Sequence, residues 1–524
     1  MVRNKSWHQI VTKSIVFLYV VLFVYAATSK LLDFENFRLQ LSQSLILTDL
    51  KDIIAFMIPL LEILIAIGLA INQSRMLALY MGVGLMSAFT MYIVTILNFS
   101  DFVPCSCGGI LEQLGWKEHL VFNFIFVALG SFAIIINAPN VKKPNYTGTA
   151  MDKKGFKRTL FQIGTLIILV CGLVLGLFFY TDYKNHLPGS FIRTLPPHPI
   201  SEIKNRITLE ENQFQFAGIT KNHIYLNRKN NPFEILQFDY TLSKSQTIHL
   251  NIPKPYKFNP SRVGITINDL GVFITDGTTP ILFKGNTNNW VLEALDLKNN
   301  YFNSATPMDV NLLAITKLIP KEGRLMGILN MNKMETYLNP LALQKQADIF
   351  FSTDGFMHYN PDMQKLIYTY YYRNEYLLIN KSLKVTARFK TIDTTSTAKL
   401  KLSSNKKNDQ MSLAMPPPLV NRRSFSQGHW LFNQSITRAK NELQIVFQTR
   451  SVIDVYNLKN GNYAYSFYIP HIEGHPLKDF IIKHNQIYIL YTNQLIRREL
   501  IQKYLPSQLP EIEHQNILHV ETGM

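Results

Sequence analysis

The chain has 524 residues, a mass of 60.4 kDa, a formal net charge of +17 and an isoelectric point near 9.5. Hydrophobic residues make up 47% but charged ones only 17%, below the roughly 25% usual for soluble domains, which excludes a disordered, charge-solvated chain. Three cysteines, Cys105, Cys107 and Cys171, exclude a disulfide-stapled scaffold and a four-cysteine zinc site.

The apolar residues concentrate in the first third. Runs at 15–29, 53–71, 76–98, 119–137 and 159–180 are long enough, at about 1.5 Å per helical residue, to span a roughly 30 Å hydrocarbon layer or nearly so. They predict five transmembrane helices, the first retained rather than cleaved as a signal peptide. Ten basic residues fall on one side of this arrangement, in the N-terminal stretch, at Arg75 and in 138–158. Four fall on the other, Lys30, Arg38, Lys51 and Lys117, interleaved with acidic residues. Positive charge stays inside, so the expectation is an inner-membrane, multi-pass protein with a cytoplasmic N-terminus. Five crossings then place everything after Tyr180 in the periplasm or outside the cell. The same parity places Cys105 and Cys107 in an outside loop.

The segment 181–204, rich in proline and polar residues, reads as a linker. Beyond it lie short runs of Ile, Val, Phe, Tyr and Thr bounded by turn residues, which are strands. Apolar strand starts at 224, 272, 312, 356, 444 and 487, with a further strand at 429, recur about every 40–50 residues. This is the pattern of a β-propeller of six to seven blades, with a β-sandwich as the alternative. The stretch 398–427 reads as an exposed excursion and 506–524 as a tail. Asp269, Asp276, Asp354, Asp362 and the Asn-rich run after Gly285 read as turn formers rather than calcium or phosphate sites.

Pro104-Cys105-Ser106-Cys107-Gly108-Gly109 is the sharpest local feature. Thiols one residue apart can close a tight, exchangeable disulfide, and the glycines permit the backbone it needs. Redox exchange, a structural disulfide and half of a metal site all remain open; His119 is nearby but alone, and no metal site is assigned. Cys171, within the fifth helix, reads as a packing residue. Glu62, in mid-span three residues after Pro59, must pair or be protonated, with Lys30 at the end of helix one as its candidate cation. A proton or quinone site and a polar clamp between helices both fit.

Helix one ending in AATSKLLDFENF, PLLEILIAIGL in helix two and PCSCGGILEQLGWKEHLVFNFIF resemble the MauE branch of the DoxX-like membrane proteins over about residues 8–140. The resemblance implies a four-helix membrane domain (1–140) linked to maturation of a disulfide-rich partner. Its architecture is similar to DsbB and vitamin K epoxide reductase, which pass electrons from thiols to quinone. It implies thiol exchange at Cys105 and Cys107, intramembrane polar positions at Lys30 and Glu62, a quinone as a possible cofactor and an extracytoplasmic protein client. Outside it lie a basic loop (141–158), the fifth helix (159–180) and the β domain (205–505).

Two functions follow as expectations. One is a membrane thiol–disulfide oxidoreductase or maturation factor. The other is a non-catalytic, membrane-anchored protein whose β domain recruits a protein or glycan. Residues 1–158 hold 14 basic and 9 acidic residues, and the remainder 39 and 27. Most of the excess therefore belongs to the outside domain, where an acidic partner or anionic lipid fits and nucleic acid does not.

Overall fold

A computed structural model describes residues 2–42, 50–99, 115–137, 153–185, 188–210, 214–252 and 262–501, apart from short gaps at 280, 299, 347, 349, 401, 406–409 and 414–416. The chain forms two compact units. The first comprises 1–187 with 400–417, and the second 188–399 with 418–524.

The first unit is helical: α1 (Val2–Leu32), α2 (Phe34–Ser42), α3 (Lys51–Ala70), α4 (Arg75–Phe99), α5 (Trp116–Ile136) and α6 (Lys153–Asn185). All but α2 are long and apolar enough to cross a membrane, by length and composition. The helices exceed the apolar runs that mark them, because polar flanks continue the helix beyond hydrocarbon. Thus α6 takes in Thr181–Asn185, which composition alone assigns to the linker. The short helix α2 had no apolar run to announce it. Its Phe37 and Leu41 are buried against Ala55 of α3.

The bundle core joins Tyr19 and Phe23 of α1, Leu69 of α3, Leu79 and Val83 of α4, Ala133 of α5 and Ile163 of α6. The Tyr19 hydroxyl donates to the carbonyl of Phe126, 2.6 Å away, tying α1 to α5. Here α5 comes so close that a Cβ on Gly130 would collide with Tyr19 and Val83. Small residues at such crossings let helices approach where lipid gives no hydrophobic drive.

The second unit is a six-bladed β-propeller. Five blades are four-stranded antiparallel meanders, at 214–249, 264–296, 304–339, 355–390 and 421–470. The first two merge into one sheet through a single parallel pair, Gly218 with Ile267. Gly218 has φ 149° and no room for a Cβ beside the Ile267 carbonyl, so glycine fits there. The sixth blade takes three strands from 479–499 and its fourth from the start of the unit. Asn205–Thr208 pairs antiparallel with Gln494–Glu499, from Asn205 opposite Arg497 to Thr208 opposite Gln494.

Apolar layers fill the six spaces between neighbouring blades. Tyr225 and Ile235 meet Ile267 and Ile274 between blades one and two, and Phe273 and Leu282 meet Leu313 and Leu329 between two and three. Ala314 and Met326 meet Leu366 and Leu377, then Ile367 and Tyr376 meet Leu431 and Tyr456. Phe432 and Ile453 meet Ile487 and Ile489, and Leu226 and Phe238 close the ring on Tyr488 and Leu495.

The second strand of each blade is packed on both faces, as in His223–Arg228 and Lys365–Tyr370. That explains why the starts at 224, 272, 312, 429 and 487 stand out in sequence. The start at 356 instead falls on an inner strand, Gly355–Asn360. The stretch from 444 opens on a short helix, α7 (Gln444–Gln448), with the strand Arg450–Asn457 behind it. The expected excursion 398–427 holds a hairpin (Leu402–Asn405, Gln410–Leu413), but its end is the inner strand of blade five, Asn421–Gln427. That strand is polar and only partly buried, so it lacked the apolar signal of a strand. The tail 506–524 lies outside the described residues.

The turn readings hold for Asp276 and Asn286, which cap their own turns, whereas Asp362 and Asp269 accept from distant segments. Asp276 accepts from the backbone of Thr278, Asn286 from the backbones of Asn288 and Asn289, and Asp362 from Gly428. Asp269 accepts from the backbone of Lys221. Asp354 instead forms an ion pair with Arg324.

Candidate functional site

A charged residue inside a bilayer span has to find a partner, and Glu62 finds Lys30. The Lys30 Nζ donates to Glu62 Oε1 at 2.6 Å, joining the last turn of α1 to the middle of α3. The Glu62 side chain is 1% exposed and that of Lys30 14%. Phe37 and Phe89 place their rings 5.7 and 5.8 Å from the ammonium, which replaces part of its hydration with π-electron density.

Beside this pair lies a cavity of about 310 Å³. Its walls are chiefly apolar and aromatic, among them Phe23, Phe37, Phe89 and Phe122, and Leu173, Val174 and Leu177 of α6 contribute one side. The helix outside the resembling segment thus takes part in the site. The volume falls at the lower end of small-molecule pockets, roughly 300–1,000 Å³.

Few polar groups line it, and three have unused hydrogen-bonding capacity. Glu62 Oε2, His119 Nδ1 and Asn123 Nδ2 are buried with no hydrogen-bond partner among the described residues. His119 and Asn123 stand four residues apart on α5 and so share one helix face. The His119 ring stacks on Trp116, with centroids 6.4 Å apart and planes at 23°. Buried polar atoms are nearly always satisfied, so three orphans around one apolar cavity describe a place for a ligand with both donors and acceptors.

Lys30 and Glu62 are therefore together. Cys105 and Cys107 lie outside the described residues, in the connection between α4 and α5. That connection ends at Gly115, and the next residue, Trp116, already lines the cavity. Cys171 is a free thiol, half-buried on α6, two residues before Leu173. Sequence reasoning missed Asn123 and left His119 isolated. Their signal was a polar pair at i and i+4 inside an apolar span.

Charge gathers at the starts of two inner strands, where Asp354 and Asp479 each meet an arginine of the preceding blade. Arg324 pairs with Asp354, and Arg423 Nε lies 4.0 Å from Asp479 Oδ2. Burial pushes both carboxyls above the ordinary aspartate range, against the pull of their arginines. A separate buried network holds the strap that enters the propeller. Arg193 contacts both oxygens of Asp454 and, at 2.5 Å, Glu442 Oε2.

Residues 8–136 match the family model described as methylamine utilisation protein MauE. The match covers the first four apolar helices; the fifth and the propeller lie outside it. A search of curated proteins found no match. Among solved structures, the chain is similar to a member of a DUF4221 family from Bacteroides vulgatus, at 11% identity and TM-score 0.36, over 60% of this chain and 98% of that one. It is also similar to an auxiliary nutrient binding protein from Bacteroides thetaiotaomicron, at 10% identity and TM-score 0.34, over 59% and 76%. TolB from Acinetobacter baumannii matches at 10% identity and TM-score 0.28, over 63% and 69%.

Proposed function

We propose that this chain is an inner-membrane thiol–disulfide redox factor that matures an extracytoplasmic client. One observation carries the reading. The cavity holding the Lys30–Glu62 pair is bordered by Trp116 and His119, in the first turn of the helix that follows the loop bearing Cys105 and Cys107. With the N-terminus in the cytoplasm, that loop and the propeller share the oxidising side.

The chemistry balances as two exchanges. A client thiolate attacks the Cys105–Cys107 disulfide, forms a mixed disulfide and releases the second cysteine as thiolate. A second client thiolate then attacks the mixed disulfide. The client leaves oxidised, and Cys105 and Cys107 are left as a dithiol. Two electrons and two protons must leave the dithiol before the next turnover.

A lipid-soluble quinone is the acceptor class that fits the cavity, and it supplies the two-electron, two-proton sink. The fit rests on aromatic walls and the three unpartnered polar atoms. Asn123 Nδ2 would donate a hydrogen bond to such a group, and Glu62 Oε2, beside Lys30, would face it as a second polar contact. The apolar walls keep water from the exchange.

Trapping tests the proposal. In a Cys107→Ala variant the Cys105 thiolate can still attack the disulfide of an oxidised client, the reverse of the second exchange, releasing one client thiolate. With no second cysteine to resolve it, the mixed disulfide should accumulate in cells, visible on non-reducing gels and lost on reduction. If Cys105→Ala and Cys107→Ala both leave client thiol status unchanged, the redox reading fails and the propeller-based binding reading replaces it.

A further inference from the structure

The extended strap at 189–193 runs along the loop 438–442 of blade five. Gly189 N donates to the Arg438 carbonyl at 2.7 Å and Lys440 N to that of Phe191 at 2.8 Å. Arg193 and Asn441 exchange two more hydrogen bonds. Along an extended segment side chains alternate, so Phe191 and Arg193 are buried while Ile192 between them is 65% exposed. Just beyond the same loop, Leu443 is 70% exposed and Ile445, on α7, 65%. Three bare aliphatic side chains thus lie on the strap, at the end of the loop it binds and on α7.

The charges that reach solvent along 438–450 have one sign. Lys440 and Arg450 are exposed and Arg438 is half-buried. The one acid of the loop, Glu442, is buried against Arg193. Apolar side chains within a basic rim are the composition of a surface that lies in the interfacial layer of an anionic membrane.

The chain itself selects the occupant. The last apolar span ends at Thr181 and α6 at Asn185, so Ile192 follows only seven residues later. At about 3.6 Å per residue, Ile192 lies within about 25 Å of the end of α6. A lipid surface is always within that reach, whereas a diffusing partner is not.

We propose that Ile192, Leu443 and Ile445 form an interfacial anchor, which seats this edge of the propeller on the anionic lipid surface that its own last helix leaves. The anchor is independent of any redox role.

Fluorescence depth tests it on the full-length chain, in phosphatidylethanolamine/phosphatidylglycerol vesicles. The background carries Cys105→Ser, Cys107→Ser and Cys171→Ser. NBD is attached at Leu443→Cys or Ile445→Cys, with Leu341→Cys, on blade three and 83% exposed, as the aqueous reference. The expected result at 443 and 445 is blue-shifted emission, strong quenching by doxyl-labelled lipid and several-fold weaker iodide quenching than at 341. Iodide quenching equal to that at 341, with no quenching by doxyl lipid, overturns the proposal.

Discussion

Arg193 and Asp454, separated by 261 residues in sequence, meet in a buried two-point contact, with Nε to Oδ1 at 2.8 Å and Nη2 to Oδ2 at 3.2 Å. Both side chains are essentially without solvent. The pair fixes the strap from the last helix to the middle of blade five. Ser466 also donates to Asp454 and the Tyr468 hydroxyl to Glu442, so every charge has hydrogen-bonding partners.

Arg193→Ala should therefore destabilise the propeller sharply. It strands two buried carboxylates, and breaking such a pair from one side costs about 3–5 kcal/mol. Arg193→Lys should recover only part of this, because an ammonium cannot make the planar two-point contact. Urea unfolding of the full-length chain in detergent, followed by tryptophan fluorescence, reads both values.

The Lys30–Glu62 pair separates stability from chemistry. Lys30→Met leaves the buried Glu62 carboxyl without its partner and should lower the melting temperature in detergent. The double variant Lys30→Met/Glu62→Leu removes both charges and should regain most of that loss. If the pair works only as a clamp, the double variant keeps client oxidation. The proposed role in the redox cycle requires that it be stable and inactive.

Helix approach at Gly130 is the third test. Gly130→Leu should push α5 from α1 and break the bond from Tyr19 to the Phe126 carbonyl. Overpacking of this kind costs about 1–3 kcal/mol. The loss should appear as a lower melting temperature, with a smaller effect for Gly130→Ala.

Acid sensitivity should trace in part to His358. Its Nε2 lies 2.9 Å from Ser426 Oγ and its ring stacks on Phe425. Burial pushes its pKa down to about 4 from the usual histidine range near 6.5. The unfolded chain therefore takes up a proton first. Stability from this residue is fully present above pH 6.5, is lost as pH falls toward 4, and changes no further below that. The full loss is on the order of 3 kcal/mol, at about 1.4 kcal/mol per pKa unit. Unfolding midpoints at pH 7 and pH 5 should differ less for His358→Gln than for the parent chain.

Much of the membrane half was legible in the sequence, because hydrocarbon imposes simple demands. Apolar runs marked the five spans, and the need to pair a buried charge pointed from Glu62 to Lys30. The site's other members were harder to read. Asn123 is one polar residue in an apolar run, and only the packing of α1, α3, α4 and α5 makes it face the same cavity as Glu62. In the propeller, doubly buried second strands were visible, while Asn421–Gln427 looked like loop because its polar side chains line the inner edge of a blade. Arg193 was hidden by distance, since nothing in a proline-rich linker announces acids more than 240 residues away.

The sixth blade has a consequence for biosynthesis. Its outer strand, Asn205–Thr208, follows the last span, but its partner begins only at Gln494. At about 5–20 residues per second, the ribosome needs roughly 15 to 60 s to make the intervening chain. Throughout that interval the helices are complete while the ring stays open, with an unpaired edge able to join another chain. The protein is thus anchored long before it is closed. Its most vulnerable period is spent at the membrane, waiting for its own C-terminal strand.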